Sequence, residues 1–315
     1  MKTRLLNSST RFAAVIMVSL VWLAAGFAAE PQTVRLLTIG NSFSANATKY
    51  LRDLAKAGGH TLIHRPIVVG GASLQLHAEK FQKHELDISD KAGCYTNGRS
   101  LKQELAADRW DFVTIQQASR KSYDLDTYRP FAAQLHGYIK KHAPQAKLLV
   151  HETWAYRCDD PWFTTKTPKP GEATSQQAMY QGLTNAYHTI AAELGARLIP
   201  VGKAFYLADT DMKWRYRPDT KFVSKNAKPP ALPDQTHSLH VGWQWKKGKD
   251  GKQTLGMDGH HANTAGEYLG ACVWYEVLFG ESVVGSSFVP KGLDAAYARF
   301  LRETAHKAVA KREHE

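Results

Sequence analysis

The chain has 315 residues, of which 43% are hydrophobic and 22% charged, and its formal net charge is +12. This length and apolar content are typical of a globular protein with a sizeable core, which excludes a disordered or fibrous chain. Because the cations are scattered and no nucleic-acid-binding motif is present, we interpret the charge as surface charge and expect no nucleic acid partner. An anionic polymer as the substrate is the alternative.

The first 29 residues have the pattern of a secretory signal peptide. Three basic residues precede an apolar run over residues 12–29, which is broken only by Ser19 and ends in small residues. We therefore predict cleavage near Ala28 or Ala29, export to the bacterial periplasm or beyond, and no stable membrane association afterwards. Retention as an anchor is the alternative, because the run is long enough to span a bilayer.

The three cysteines have no spacing typical of a metal site. Cys272 lies on an apolar helical face, which predicts a buried thiol. Cys94 and Cys158 both lie in loop-like sequence. Since export permits disulfides, a bridge between these two residues stays open.

Strand and helix signals alternate after residue 33. Apolar or β-branched runs predict five strands, at residues 34–39, 61–69, 111–116, 147–154 and 196–201. Amphipathic stretches predict helices at residues 44–57, 74–84 and 100–107, after Pro130, after a capping box of Thr174 with Gln177, and at residues 263–279 and 293–311. This alternation predicts an α/β fold with a central parallel sheet of about five strands covered by helices on both faces.

Residues 209–255 interrupt the alternation with prolines, lysines, glycines and aromatic residues. Loops of this length are often functional. We interpret the segment as a long polar and aromatic insertion in a single domain over residues 30–315.

A serine follows the first predicted strand. Residues 34–39 run into Gly40-Asn41-Ser42-Phe43-Ser44, which places Ser42 at the carboxyl edge of the sheet, where ligands bind in open α/β folds. A serine at that position is a candidate nucleophile, and amides at the start of a helix can stabilise an oxyanion. A role as helix N-cap is the alternative for Ser42.

Near the other end, Asp258 precedes His261 by three residues. A turn of that length brings a carboxylate to one imidazole nitrogen and leaves the other nitrogen for Ser42, which is the arrangement of a hydrolytic triad. His260 is a rival base, and a polar turn without catalytic function is the alternative. The pair of histidines has no further ligands at zinc spacing, so we expect no metal site.

Two further segments follow predicted strands. Gly70-Gly71 lies after the second strand, where a glycine lets the backbone approach a ligand closely, so the Gly71 amide is a candidate oxyanion donor. Gln116 and Gln117 end the third strand, and their side-chain amides are candidates for the same role. Plain turns are the alternative for both segments.

These residues resemble the SGNH (GDSL-like) hydrolase superfamily over residues 34 to about 280. Gly40–Phe43 resembles its first block, Gly71 matches the glycine of the second, and Asp258–Asn263 resembles the fifth, which supplies Asp and His. The Gly-Asn-Ser-Phe-Ser start, the Gln-Gln-x-Ser stretch and residues 151–156 are similar to a poorly characterised bacterial branch.

The resemblance implies a flavodoxin-like three-layer α/β/α sandwich, esterase chemistry and no cofactor. It implies Ser42 as the nucleophile, His261 as the base and Asp258 as the orienting acid, with Ser42, Gly71 and Gln117 forming the oxyanion hole. Asn41 stands where the superfamily has Asp, at a position outside the triad. Residues 117–120 replace its Gly-x-Asn-Asp, so Gln117 or Ser119 is expected to substitute for the Asn.

The superfamily acts on acylated carbohydrates, lipids and thioesters. Aromatic side chains favour sugar faces, and the candidates are Trp154, Tyr156, Trp162, Trp214, Tyr216, Trp243 and Trp245, although core positions are the commoner role for Trp. We predict an esterase that deacetylates a glycan, with Trp154, Tyr156 and Ser119 binding the substrate. A lipid or thioester hydrolase and an inactive glycan-binding domain are the alternatives.

Overall fold

The computed structural model describes residues 30–164 and 172–310, so the predicted signal peptide lies outside the described residues. The main sheet has five parallel strands: β1 (Thr33–Gly40), β2 (Thr61–Val68), β3 (Phe112–Ile115), β4 (Lys147–His151) and β5 (Arg197–Ile199). Their order is β2-β1-β3-β4-β5. This is the flavodoxin-like order, which confirms the predicted α/β fold and places the topological switch point between β1 and β3.

Helices cover both faces of this sheet. They are α1 (Ser42–Ala47), α2 (Leu51–Ala57), α3 (Leu74–Leu86), α4 (Leu101–Leu105), α5 (Phe131–His142), α6 (Gln176–Glu193), α7 (Val201–Thr210), α8 (Thr264–Phe279) and α9 (Ala295–Val309). Helix α8 packs against α1, α2, α7 and α9, whereas α3, α4 and α5 pack against one another. Because α8 is apolar all round, it is buried along nearly its whole length.

The strands are apolar because both faces of the sheet are covered. In β1, Leu36, Leu37 and Ile39 are at most 1% exposed, so successive side chains on opposite faces all enter the core. Strand β1 pairs with β2 over eight residues and with β3 on its other side. The central position of β1 therefore fixes where the segment after Gly40 emerges.

A two-stranded antiparallel hairpin stands apart from the main sheet. It consists of β6 (His240–Lys247) and β7 (Gln253–Ala262). The segment 209–255 interpreted as an insertion therefore contains one strand and the start of another. No helix in the described ranges is both long and apolar enough to span a bilayer.

The structure corrects two local predictions and decides two that concern the cysteines. The helix predicted over residues 44–57 is divided at Thr48, whose hydroxyl donates to the Ser44 carbonyl. Ser175, and not Thr174, caps α6. Cys94 and Cys158, between which a bridge stayed open, are free thiols, and the prediction of a buried thiol at Cys272 is confirmed.

Candidate active site

Ser42 is the first residue of α1, directly beyond the carboxyl end of β1. The side chain of Asn41 caps this helix, because its Oδ1 accepts a hydrogen bond from the Phe43 amide at 2.9 Å. The N-cap role considered for Ser42 is therefore wrong. Since capping does not occupy the Ser42 hydroxyl, it is available for another partner.

That partner is His261. The Nε2 atom of His261 lies 2.9 Å from Ser42 Oγ, and its Nδ1 lies 3.0 Å from Asp258 Oδ2. With its proton on Nδ1, His261 donates to Asp258 and accepts from Ser42, so one tautomer satisfies both contacts. The structure thus brings Ser42, His261 and Asp258 into one hydrogen-bonded chain.

A bulge in β7 makes this arrangement possible. Residues three apart on a regular strand point to opposite faces. Here Val241 on β6 faces three residues of β7, at positions 259–261, because His240 pairs with Ala262 and Gly242 with Asp258. The extra residues turn the chain between Asp258 and His261, so both side chains lie on the same side. The turn predicted from the sequence is therefore an irregularity within a strand.

The loop after β4 holds this bulge in place. The Arg157 amide donates to the Gly259 carbonyl at 2.8 Å, and Trp154 Nε1 donates to the His260 carbonyl at 2.9 Å. A side chain at position 259 would collide with Asp160, so glycine is needed there. Backbone and side-chain contacts together thus fix the strand that carries His261.

The electrostatics keep Asp258 ionised. Partial burial acts to raise the pKa of this carboxyl group. Hydrogen bonds from the ring and the backbone of His261, with the two nearby imidazoles, outweigh burial and hold the pKa of Asp258 well below its ordinary range. An ionised Asp258 can orient the His261 ring and stabilise its protonated form.

His260, the rival base, contacts the same carboxylate but not the serine. Its Nδ1 lies 3.2 Å from Asp258 Oδ1, and its ring lies beside that of Tyr156. Burial is the main cause that lowers the pKa of His260, although Asp258 opposes the shift. His261 is thus the histidine whose ring reaches Ser42.

Asp258, His260 and His261 also offer three ligand atoms that lie within 4.8 Å of one another. Among the described residues this is the one group of three that could hold a metal ion. A cation bound there would compete with the hydrogen bond between Asp258 and His261, since both would use His261 Nδ1.

Two backbone amides are candidates for an oxyanion hole. Gly71, in the turn between β2 and α3, has a φ of +67°, which glycine adopts readily. Within the described part of the chain, neither its amide nor that of Ser42 donates to a protein acceptor. Asn41 Nδ2 donates to the Ala72 carbonyl at 2.9 Å, which ties this turn to the start of α1.

Gln117, predicted as a third oxyanion donor, does not face the site. Its Nε2 donates to the Thr127 carbonyl at 2.8 Å, and its Oε1 accepts from the amides of Leu74 and Ala118. The side chain is fully buried and all its polar atoms are engaged. The prediction is therefore wrong, because the side-chain amide of Gln117 is hydrogen-bonded to the loop at Thr127.

Gln116 is also engaged elsewhere, in a buried network that sequence reasoning missed. Gln116 Nε2 donates to Asn41 Oδ1 at 2.7 Å, and Gln116 Oε1 lies 3.0 Å from His151 Nδ1. Burial lowers the pKa of His151 to about 3, so the ring is neutral and donates from Nδ1. The sequence signal that could have revealed this network is a polar residue at the carboxyl end of each of β1, β3 and β4.

The predicted substrate-binding residues separate into two groups. Trp154 is fully buried between Phe43 and Phe205, with ring centroids 4.5 Å apart in both pairs, and cannot contact a substrate. Tyr156 and Ser119 do lie at the site, and their hydroxyls are 2.9 Å apart. Trp154 instead supports the site by packing against Phe43.

An open pocket of about 320 Å³ lies above Ser42, and we call it the Ser42 pocket. Its lining residues are Asn41, Ser42, Phe43, Gly71, Ala118, Ser119, Arg120, Tyr156, His260 and His261. The volume is within the range of small-molecule sites. The pocket therefore brings together the predicted nucleophile, the predicted base, two candidate oxyanion residues and the cation Arg120, which the sequence prediction did not include.

Comparisons with known proteins identify the family. The model of the family described as "Domain of unknown function (DUF4886)" matches residues 35–214. A crystal structure of a DUF4886 family protein from Bacteroides uniformis is 26% identical, with a TM-score of 0.67, covering 88% of this chain and 95% of that one. No curated protein matches.

Two further solved structures are more distant. A protein from Slackia heliotrinireducens, described as a candidate SGNH hydrolase, is 23% identical, with a TM-score of 0.44 and coverage of 78% of this chain and 98% of that one. The lipase/acylhydrolase from Enterococcus faecalis is 13% identical, with a TM-score of 0.40 and coverage of 78% and 96%. The family match over residues 35–214 decides the assignment: this chain belongs to the DUF4886 family.

Proposed function

We propose that this protein is an exported serine esterase of the SGNH type that deacetylates a polysaccharide or glycan. The observation that carries the proposal is the chain of hydrogen bonds from Ser42 through His261 to Asp258, at 2.9 and 3.0 Å, on the wall of an open pocket. A nucleophile, a base and an orienting acid in this geometry are what acyl transfer requires.

In the first half of the reaction, Ser42 Oγ attacks the ester carbonyl while His261 Nε2 accepts the hydroxyl proton. Asp258, ionised and bound to His261 Nδ1, stabilises the imidazolium that forms. The amides of Ser42 and Gly71 are free to donate to the oxyanion, and Ser119, which also lines the pocket, is a third candidate donor. His261 then protonates the leaving alcohol and leaves an acyl-enzyme.

In the second half, His261 activates a water molecule that attacks the acyl-enzyme, and the released proton returns to Ser42. The proposed steps use only side chains and amides of this chain, so no cofactor is needed. The predicted signal peptide over residues 1–29 supports export.

The polarity of the pocket favours a glycan over a lipid. Only Phe43 and Ala118 among its lining residues are apolar. The large hydrophobic side chains exposed elsewhere in the described chain, such as Leu86 and Met212, do not line it. The surface that lines the pocket is polar and apolar in similar measure, and a long acyl chain would bury the polar part without hydrogen bonds, which argues against the alternative of a lipid hydrolase.

The second alternative, an inactive glycan-binding domain, has less support. A serine with no base in reach would favour it, whereas His261 lies within hydrogen-bond distance of Ser42. The ionised Asp258 would also have no function in a simple binding site.

The test is acetate release from p-nitrophenyl acetate and a panel of acetylated polysaccharides by the mature protein and by Ser42→Ala. We expect the wild type to release acetate and the variant to be slower by on the order of 10³-fold or more with an unchanged fold. A variant that retains most of the activity would contradict the proposed nucleophile. Failure of both proteins on all substrates would favour a lipid, a thioester or simple binding.

A further inference from the structure

The Ser42 pocket is lined by one positively charged side chain, Arg120. Arg120 is the only residue with a permanent charge among its described lining residues, and none of them is a carboxylate. Two carboxylates lie near the pocket: Asp258 is engaged by His260 and His261, and Asp160 acts on His260 and Tyr156. A ligand in the pocket therefore meets the Arg120 side chain directly, whereas no carboxylate lines the pocket.

The guanidinium of Arg120 is held in place without being neutralised. Its central carbon lies 4.7 Å from the ring centroid of Trp162, which is the geometry of a cation–π contact. Among the described residues, the carboxylates that form ion pairs are paired with other cations. Asp160, on the neighbouring loop, accepts from the Trp162 amide at 2.7 Å and so caps a short helix.

Stacking leaves the edge of a guanidinium free, because the N–H donors lie in its plane. The charge of Arg120 also acts on His260: burial is the main cause that lowers the pKa of His260, and Arg120 adds to the lowering, whereas Asp258 and Asp160 oppose it. Arg120 also interacts with the Tyr156 hydroxyl, but it forms no ion pair among the described residues. An arginine of this kind on the wall of a pocket is a site for a carboxylate, sulfate or phosphate group.

We propose that Arg120 forms an anion subsite of the Ser42 pocket, so that the preferred ester carries an anionic group close to the scissile bond. This inference rests on the proposed esterase function and narrows it to acylated acidic glycans or other anionic esters. The chemistry recognised is a planar or tetrahedral oxyanion, bound by paired N–H donors.

The test uses ester pairs that differ only in charge. For the alcohol side the pair is 4-acetoxybenzoate and 4-acetoxybenzamide, and for the acid side it is mono-4-nitrophenyl succinate and its succinamate. The measured quantity is the ratio of kcat/KM for the anionic ester to that for the neutral ester, in the wild type, Arg120→Gln and Arg120→Glu. Lys121→Gln is the matched control, because Lys121 is exposed next to Arg120 but does not line the pocket.

We expect the ratio to fall about tenfold in Arg120→Gln and further in Arg120→Glu, as for the loss of one charge-assisted hydrogen bond. Lys121→Gln should keep the wild-type ratio, and high salt should reduce the wild-type preference. The ester pair whose kcat/KM ratio falls in the Arg120 variants shows whether the anion lies on the alcohol side or on the acid side of the ester. An unchanged ratio in Arg120→Gln, or a wild type that does not prefer either anionic ester, would overturn the inference.

A binding measurement separates this inference from the proposed function. Calorimetric titration of Ser42→Ala with 4-acetoxybenzoate and 4-acetoxybenzamide reports the subsite even if the protein hydrolyses no ester. Tighter binding of the anion that is lost in the double variant with Arg120→Gln supports the subsite independently of catalysis. Equal binding of both probes would refute the subsite, while the Ser42→Ala hydrolysis assay still decides on the esterase.

Discussion

Two adjacent histidines, His260 and His261, share the carboxylate of Asp258 but face different neighbours. The ring of His261 reaches Ser42 at 2.9 Å, whereas that of His260 lies beside Tyr156. The contacts made by each ring, and not the sequence around it, determine which imidazole can remove the serine proton.

We therefore predict different effects for the two alanine substitutions. His261→Ala should lower kcat for p-nitrophenyl acetate by on the order of 10³-fold or more, because it removes the base. His260→Ala should lower it by less than about tenfold, since only a pocket wall and one contact to Asp258 are lost. Comparable losses in both variants, measured by steady-state kinetics, would show that His260 shares the role of base.

At this scale the sequence predicted the proposed catalytic residues better than their supports. The spacing of Asp258 and His261 is local, so it could be interpreted without a structure. Gln117 is expected at the pocket because it follows a strand, and Trp154 because aromatic rings favour sugar faces, but long-range packing decides where their polar atoms point. Such contacts join residues far apart in sequence and leave no local pattern.

Among the elements, the turn between β2 and α3 has a simple energetic test. Gly70 and Gly71 are adjacent, and both have open space where a Cβ would lie. Only Gly71 has a positive φ, at +67°. The two positions therefore differ in backbone conformation and not in crowding.

Gly71→Ala should lower the free energy of unfolding by about 1–2 kcal/mol, because an alanine in the left-handed region is strained. Gly70→Ala is the matched control and should change it little. Urea denaturation followed by circular dichroism measures both. Equal stability of the two variants would mean that the turn relaxes, and the proposed oxyanion geometry at Gly71 would then lose its support.

The element predictions succeeded where a periodic pattern was long. The five strands and helix α8 were predicted to within a few residues at most ends. Helix α7 and the β6–β7 hairpin were missed. Helix α7 directly follows Pro200 at the end of β5, and its buried stripe is composed mainly of small residues. The hairpin ends in exposed lysines that mask its alternation.

For the molecule as a whole, the strand order explains why distant segments meet. In the order β2-β1-β3-β4-β5 the switch point lies between β1 and β3. Ser42 follows β1, Ser119 and Arg120 follow β3, and Gly71 follows β2. The sequence predicted the parallel sheet, but the position of the hairpin that brings Asp258 and His261 to this edge depends on tertiary contacts.

Buried carboxyl groups make global stability depend on pH. Glu152 is fully buried, where Thr184 Oγ1 and the Lys203 amide donate to its two oxygens. Burial raises the pKa of Glu152 to about 7, although both hydrogen bonds oppose the shift. Because the pKa is higher in the folded state, the stabilisation is complete below the unfolded value and is lost as pH rises to about 7.

Glu152→Gln should therefore flatten the decline in the free energy of unfolding between about pH 4.5 and 7. Removal of one titrating group changes the slope by at most about 1.4 kcal/mol per pH unit. Burial also raises the pKa of Asp209 to about 7, so Asp209 should preserve part of the decline in the free energy of unfolding in Glu152→Gln. Urea denaturation over this range, with exposed Glu79→Gln as the control, measures the slope, and an unchanged slope in Glu152→Gln would contradict the prediction.

The most direct test of the proposed catalytic serine is labelling with a fluorophosphonate, followed by peptide mass spectrometry. This reagent reacts with activated serines and needs no knowledge of the natural substrate. We predict a single adduct on Ser42 in the wild type, much slower labelling in His261→Ala and none in Ser42→Ala. Absence of an adduct on Ser42, or equally rapid labelling without His261, would contradict the assignment of Ser42 as a nucleophile activated by His261.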